Sequence, residues 1–295
     1  MGKRWLNLGA VLTAAVLLLA ASTSFAQTGE RPGKTYVLAR APQLNPRTLV
    51  EAWGPFVQRL SHDVGVPISL QVFDSRERFE ADLFAGLPDF AFGNPYHSIL
   101  AHKRLGYVAL VRDNSAPLVG VIVVRADSPI QTVQDLMGKT IAFPDPHAMA
   151  ASLYMRALLS EKHHLKFEAV YAGTHENVYR SVYLGRTDAG GGIQWTLERE
   201  QAELRDQLRV VFETPGVPPH PLIAHPRVPE ALRQKLVTAI LRMAEDADGK
   251  KLLDAVLLSQ PVAADFKRDY SAVLRLGLEK YTVNVHNAGI PAPGP

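Results

Sequence analysis

Cysteine is absent from all 295 residues. That excludes disulfides, thiolate metal sites, a cysteine nucleophile and a lipid-modified N-terminal cysteine. A charge excess is also missing: 32 Lys and Arg face 29 Asp and Glu, a formal net charge of +3. Such a balance gives no general attraction to nucleic acid or membrane surfaces. No Gly-x-Ser-x-Gly elbow and no Gly-rich Walker loop occurs, so no hydrolase or nucleotide-binding motif is carried. Catalysis by an unrecognised arrangement ranks third among the readings, and no cofactor is implied. Past the N-terminus no apolar run approaches membrane length.

What is present begins with Lys3 and Arg4, the apolar run Leu8 to Ala21, and Ser24-Phe25-Ala26. A basic start, a short apolar core and a small-residue exit predict a secretory signal peptide over 1–26. An uncleaved anchor is the alternative; no charged stop-transfer flank supports it. Export implies the bacterial periplasm. Removing 26 of 295 residues leaves 269, with two basic charges fewer and a net charge of +1. That length suits two lobes and a core large enough to stand without disulfides.

Strand-like runs alternate with helix-like ones from Tyr36 onward. Strands are expected over Tyr36–Arg40, Ile68–Phe73, Asp89–Phe92, Tyr107–Val111, Val119–Val124, Thr140–Phe143, Phe167–Tyr171, Asp188–Gly191 and Leu208–Phe212. Asn45-Pro46 offers an N-cap with proline at the first helical position; Leu49, Trp53, Phe56, Val57 and Leu60 follow at helical spacing. Asp74 is the expected cap of the next helix. The alternation predicts an α/β fold with mainly parallel sheets and helices on both faces. Arg112–Pro117 and Pro215–Pro221 read as boundaries, after which Pro229–Ala247, Lys251–Leu258 and Tyr270–Tyr281 read as mainly helical. The expected division is 1–26 signal peptide, 34–115 first lobe, 118–213 second lobe, 214–286 return to the first lobe with C-terminal helices, and 287–295 a disordered tail.

A faint repeat runs through both lobes. Leu83–Gly93, "LFAGLPDFAFG", and Val182–Gly192, "VYLGRTDAGGG", share a helix end, Gly, two residues, Asp, three residues and Gly. Each copy places a loop at the C-terminal end of a strand, where open α/β sheets bind ligands. The bland reading, a common way of leaving a helix, holds for one copy; two copies favour two similar lobes facing one cleft.

The stretches "FAFGNPYHSIL", "LMGKTIAFPDP", "GTHENVYRSVYLGRTDAGG" and "PRVPEALRQKL" together resemble the substrate-binding proteins of phosphonate, phosphite and phosphate ABC importers. The resemblance covers about Tyr36 to Tyr270. It implies a two-lobed type II periplasmic binding protein with a hinged cleft, binding a small anion and delivering it to a membrane ABC permease. It departs from the family at "FPDPHAMAAS", Phe143–Ser152. The family follows Asp-Pro and one variable residue with Ser-Thr-Ser-Gly; here Ala148, Met149, Ala150 and Ala151 follow His147. A phosphonate held in the family's manner loses three hydrogen bonds, each worth about 1.5–3 kcal/mol to a charged acceptor. A sensory or accessory protein presenting a ligand to a histidine kinase is therefore the second functional reading.

The candidate ligand residues are Arg40, Gln43, Tyr96, His147, Ala148, Met149, Ala150, His175, Gln194 and Trp195. Arg40 and Gln43 flank the end of the first strand, where a surface ion pair is the alternative role. Tyr96 follows Gly93-Asn94-Pro95 and serves either as donor or as packing. His147 faces the cleft or lies in a solvated turn; His175 stands before a helix at a family ligand position. Gln194 and Trp195 hold the equivalent place in the second lobe, though Trp195 fits a core role equally. Ten histidines invite a metal, but none shows His-x3-His spacing beside carboxylates, and His147 with Met149 is slight support for copper. A monomer is expected.

Overall fold

The computed structural model describes residues 34–43 and 46–282. The expected signal peptide 1–26, the tail 287–295 and the cap Asn45 lie outside the described residues.

The first part of the chain runs β1 (Tyr36–Arg40), α1 (Pro46–Val64), β2 (Ile68–Val72), α2 (Arg76–Phe84), β3 (Phe90–Phe92), α3 (Pro95–Leu105) and β4 (Val108–Asp113). It then enters β5 (Gly120–Arg125), β6 (Thr140–Phe143), α4 (Tyr154–Ala157), β7 (Glu168–Tyr171), α5 (His175–Tyr183), β8 (Ala189–Ile193), α6 (Gln194–Glu198), α7 (Ala202–Arg205) and β9 (Leu208–Glu213). It returns through β10 (Pro221–Ala224), α8 (Glu230–Met243), α9 (Ala247–Ala255), β11 (Pro261–Ala263), α10 (Phe266–Asp269) and α11 (Ser271–Leu274).

Two sheets form, in strand order β11-β4-β10-β3-β1-β2 and β7-β6-β8-β5-β9. The predicted α/β two-lobed class holds, with mixed rather than uniformly parallel neighbours. β1 pairs parallel with β2 and β3, while β10 runs antiparallel to β3 and β4. β6 pairs parallel with β7 and β8, while β5 runs antiparallel to β8 and β9. The reversed strands β5 and β10 are those entered directly after each passage between the sheets. The two passages touch: Leu118 and Val217 exchange backbone hydrogen bonds of 2.8 and 3.1 Å. Gly120 N–H donates to Thr214 Oγ1 at 2.9 Å.

α1 lays Leu49, Trp53, Phe56, Val57, Leu60 and Val64 into the first core, the 3–4 spacing of one buried stripe. α8 and α9 add Leu236, Ile240, Met243 and Leu253 to it. Val121 to Val124 of β5 are fully buried, as expected of a strand covered on both faces. A further core cluster joins the lobes, uniting Phe73, Phe79 and Tyr96 with Met149, Ala150, Leu153 and Tyr154.

Local differences from the sequence reading have clear causes. Ser75, not Asp74, caps α2 by accepting from Arg78 N–H. β10 was not expected, because four residues starting on proline carry little strand signal; proline fits the first strand position, where no ladder donor is needed. The helix expected over Tyr270–Tyr281 breaks at Gly277, φ +58°, into α11 and a short 3-10 turn, Leu278–Tyr281.

Candidate ligand site between the lobes

The site is built where β1, α2 and α3 of the first lobe meet the loop after β6 and the start of α5. Arg40 ends β1, 2% exposed, with its guanidinium 5.2 and 5.1 Å from the adjoining rings of Trp53 and Phe92. Its Nη1 donates to Ala41 O and its Nη2 to Gln43 Oε1, both at 2.6 Å. Burial, reinforced by Arg76, lowers its pKa to about 9. Gln43 Nε2 lies 2.7 Å from His220 Nε2. An amide nitrogen only donates, so His220 accepts there and is neutral. Burial first, then Arg40, pushes the His220 ring down to about 3, in agreement.

α2 and α3 supply the polar bridge to the other lobe. Arg76 Nε pairs with Asp145 Oδ2 at 2.6 Å. Glu80 Oε1 lies 2.7 Å from His97 Nε2 and 2.9 Å from His147 Nδ1. Asn94 caps α3 by accepting from His97 N–H at 3.0 Å, and its Nδ2 donates to His147 O at 2.9 Å. Burial opposes charge on Glu80, but the His147 and His97 hydrogen bonds outweigh it and hold the carboxyl far below the usual range. Burial also opposes charge on His147, yet Glu80 outweighs it and raises that ring. In fully buried His97 desolvation wins and the pKa falls.

A carboxylate only accepts, so both imidazole nitrogens facing Glu80 carry hydrogen. Their opposite nitrogens, His97 Nδ1 and His147 Nε2, are buried without a partner, as are Arg40 Nε and His175 Nδ1. His175 opens α5 behind the cap Thr174; burial, then Arg76, lowers its pKa to about 4. The Arg76 cation disfavours charge on Arg40, His97, His147, His175 and His220 alike. Buried polar atoms are normally satisfied; four of the eight unpartnered ones among the described residues belong to these groups, the others being Arg112 Nε, His163 Nε2, Thr187 Oγ1 and Arg233 Nε.

The stretch after β6, Phe143–Ser152, keeps a strand–turn–helix shape. Ser152 and Leu153 N–H both reach Ala148 O at 2.9 Å. The N–H groups of Met149, Ala150 and Ala151 therefore precede the first intrahelical bond and offer an anion-facing turn. π-helical turns Met149–Leu153 and Leu158–Lys162 flank α4. Ala148 is half-buried, while Met149 and Ala150 are 2% and 0% exposed and belong to the inter-lobe core.

Of the residues expected from sequence, Arg40, Gln43 and His147 make hydrogen bonds or ion pairs here, His175 is linked only through the charges of Arg76 and Asp145, and Tyr96 lies 5.9 Å ring to ring from His147. Gln194 is exposed and donates to Glu198 of its own helix at 3.1 Å. Trp195 packs half-buried on the core with the Arg199 guanidinium 5.0 Å over its ring. Arg76, Glu80, Asn94, His97, Asp145 and His220 join the site without having been singled out. The sequence carried a faint signal for His220 alone, a histidine between two prolines in a linker. Among the described residues no group of three or more His, Cys, Asp or Glu is arranged to hold a metal ion.

Residues 38–270 match the family described as ABC transporter, phosphonate, periplasmic substrate-binding protein. The chain is 24% identical over 267 residues to the phosphate-import protein PhnD of Mycolicibacterium smegmatis, covering 82% of each. A binding protein component of an ABC phosphonate transporter from Pseudomonas aeruginosa superposes with a TM-score of 0.73 at 18% identity, over 88% of this chain and 91% of that one. PhnD1 from Prochlorococcus marinus, solved with methylphosphonate, gives 0.73 at 16% identity, over 85% and 99%. These structures share the two-lobed fold. The chain thus belongs to the family of periplasmic substrate-binding proteins of phosphonate ABC transporters, a family of binding proteins and not of enzymes.

Proposed function

We propose that this protein captures a compact oxyanion of the phosphonate, phosphite or phosphate type between its lobes, in the periplasm and as a monomer, for delivery to an ABC permease. One observation carries the reading. Four buried nitrogens without partners, Arg40 Nε, His97 Nδ1, His147 Nε2 and His175 Nδ1, are supplied by both lobes, and the carboxylates bridging the lobes, Glu80 and Asp145, already have cationic or N–H partners. Arg40 Nε, and His147 Nε2 when that ring is protonated, offer an anion N–H donors beside no free carboxylate, whereas His97 Nδ1 offers only a lone pair while that ring is neutral. Closure brings Arg76 to Asp145 and Glu80 to His147, so the closed form differs chemically from the open one, which is what a membrane partner needs to recognise.

The test is a thermal-shift and calorimetric panel of phosphite, phosphate, methylphosphonate, 2-aminoethylphosphonate, sulfate and small carboxylates. A ligand at 100 times its Kd adds about 2.7 kcal/mol of stability. Phosphorus oxyanions are expected to lead, and binding only by carboxylates defeats the reading. The same closed form suits a histidine kinase. Crosslinking of the ligand-loaded protein in membranes separates that partner from a permease. Intact mass of the periplasmic protein checks removal of residues 1–26.

A further inference from the structure

Arg156 lies outside every motif discussed so far. It sits one helical turn beyond Ser152, 7% exposed, with no carboxylate in ion-pair distance among the described residues. Its guanidinium instead gathers three segments. Nε donates to Ser152 Oγ at 3.2 Å, and Nη2 donates to Pro146 O at 2.7 Å and to Tyr281 O at 2.8 Å. The Tyr171 ring lies 5.9 Å from its Cζ. Pro146 is the residue before His147. Tyr281 belongs to the C-terminal turn Leu278–Tyr281.

That turn arrives from the other lobe. α10 and α11 follow β11 of the first sheet, and Phe266, Tyr270, Val273 and Leu278 are buried in the core that contains Tyr96, Ile99 and Leu100 of α3. From there the chain reaches the helix of the second lobe, where Lys280 Nζ and Tyr281 Oη both donate to Glu161 Oε1. The chain thus spans the lobes a third time, packed in one core with the Leu118–Val217 crossing, where Tyr270 Oη donates to Pro219 O at 2.7 Å.

We propose that Arg156 is a positioning residue for the ligand loop and that the C-terminal turn is a strap anchored through it, so that the strap limits lobe opening and holds Pro146-His147 where an anion is received. A buried guanidinium satisfied only by neutral oxygens is costly unless each bond is kept. Loss of the strap therefore loosens the loop, and loss of the fork frees the strap. The affinity arm of the proposal rests on the oxyanion reading; the opening arm does not.

Because the chain has no cysteine, Val50→Cys and Leu184→Cys, on exposed positions of the two lobes, accept spin labels at two defined sites. Pulsed-dipolar distances are compared in four backgrounds: wild type, Arg156→Lys, a chain ending at Gly277, and a control ending at Thr282. The first truncation and Arg156→Lys are expected to broaden the distance distribution toward longer values without any ligand, and the control to leave it unchanged. With methylphosphonate or phosphate as probe, each is expected to weaken binding about tenfold, the worth of one charge-assisted bond. Combining them is expected to add little. An unchanged distribution in the Gly277 truncation overturns the strap. Multiplying effects of the two changes overturn its action through Arg156. Should no phosphorus oxyanion bind the wild type, the oxyanion reading fails, and the distance measurements still decide the strap.

Discussion

The two copies of the Gly-x-x-Asp unit are alike at one end and unlike at the other. Gly86 and Gly185 both leave a helix with positive φ, +71° and +66°. Asp89 then exchanges bonds with the start of β1: its N–H donates to Val37 O at 3.0 Å and its carboxylate accepts from Val37 N–H at 3.0 Å. Asp188 does the same to the start of β6, through Thr140, at 3.0 and 2.9 Å. Each aspartate pins the first rung of a parallel strand pair. At the far end the first copy runs into Asn94, which caps an 11-residue helix and reaches across to His147. The second runs into Gln194 and a 5-residue helix without a side-chain cap. The repeat is a rule for anchoring strands, kept where the sheet demands it. The ligand ends are free of that demand, and there the copies part.

Removing each aspartate tests the anchored end and should give the largest effect. Asp89 is 5% exposed and also pairs with Lys34 at 2.9 Å and Arg227 at 2.8 Å; Asp188 is 41% exposed with only Lys139 at 4.0 Å. Asp89→Ala should cost about 2–4 kcal/mol, since a mostly buried carboxylate leaves its donors unpaired. Asp188→Ala should cost about 1 kcal/mol. Urea midpoints measure both, and equal losses would break the comparison.

At the ligand end the asymmetry should appear in affinity. Arg40→Met keeps an apolar stem against Trp53 and Phe92 but removes the buried cation, and should weaken binding of the best oxyanion by roughly a hundredfold. His175→Ala removes one neutral nitrogen from the facing lobe and should cost about tenfold or less. Calorimetry on both variants decides; a larger loss at His175 would move the centre of binding into the second lobe.

The fold was legible because each strand and long helix carries its own pattern: Val121 to Val124 as a buried run, or Leu49 to Leu60 as a stripe. What failed to read were elements too short for a period, β10 and β11, and a helix interrupted by Gly277. The site was legible only in part. Arg40, Gln43, His147 and His175 stand beside strand ends, a local cue. Arg76, Glu80 and Asp145 acquire meaning only across the cleft, where Arg76 meets a residue 69 positions away. Nothing local distinguishes Glu80 from any other exposed-helix glutamate until two imidazoles from different lobes close on it.

That cross-lobe pair predicts the pH dependence. Two histidines binding as cations would give affinity that weakens above pH about 6.5, the ordinary imidazole value. His175, at about 4, is neutral across pH 5.5–8 and contributes no slope there. His147 is raised above its ordinary value by Glu80 when the lobes are closed. Its contribution to closure and stability is full below pH about 6.5 and is lost as pH rises through the raised value. Asp145 and Arg76 face the same ring and act in opposite directions. Glu80, with its pKa lowered, contributes above the ordinary carboxyl range and loses this as pH falls through its folded value. Affinities of wild type and His147→Ala from pH 5.5 to 8, taken as a ratio at each pH, cancel the anion's own titration. The ratio should fall several-fold with rising pH, whereas His175→Ala should keep the wild-type slope. A flat ratio would remove His147 as a cationic contact.

A gain rather than a loss is expected where the second lobe lacks the family's hydroxyls. The backbone of Ala150 and Ala151 is fixed by close approach: a Cβ at Gly120 would lie 2.2 Å from Ala150 O, and one at Gly191 2.4 Å from Ala151 O. Both alanine side chains are fully buried and Met149 is 2% exposed, so only Ala148 has room to present a hydroxyl. Replacing Ala148 with Ser, Met149 with Thr, Ala150 with Ser and Ala151 with Gly should strengthen methylphosphonate binding by about tenfold, one charge-assisted bond. Ala148→Ser alone should supply most of that. The fourfold variant should also lose thermal stability, because Met149 leaves a packed core. Calorimetry with methylphosphonate, beside melting curves, separates the two effects. Submicromolar binding by the wild type would show that first-turn N–H groups with His147 replace the hydroxyls at no cost. A folded variant that gains nothing would place the phosphonyl oxygens against Arg40 instead, and the two lobes would then differ in function as well as in sequence at their ligand ends.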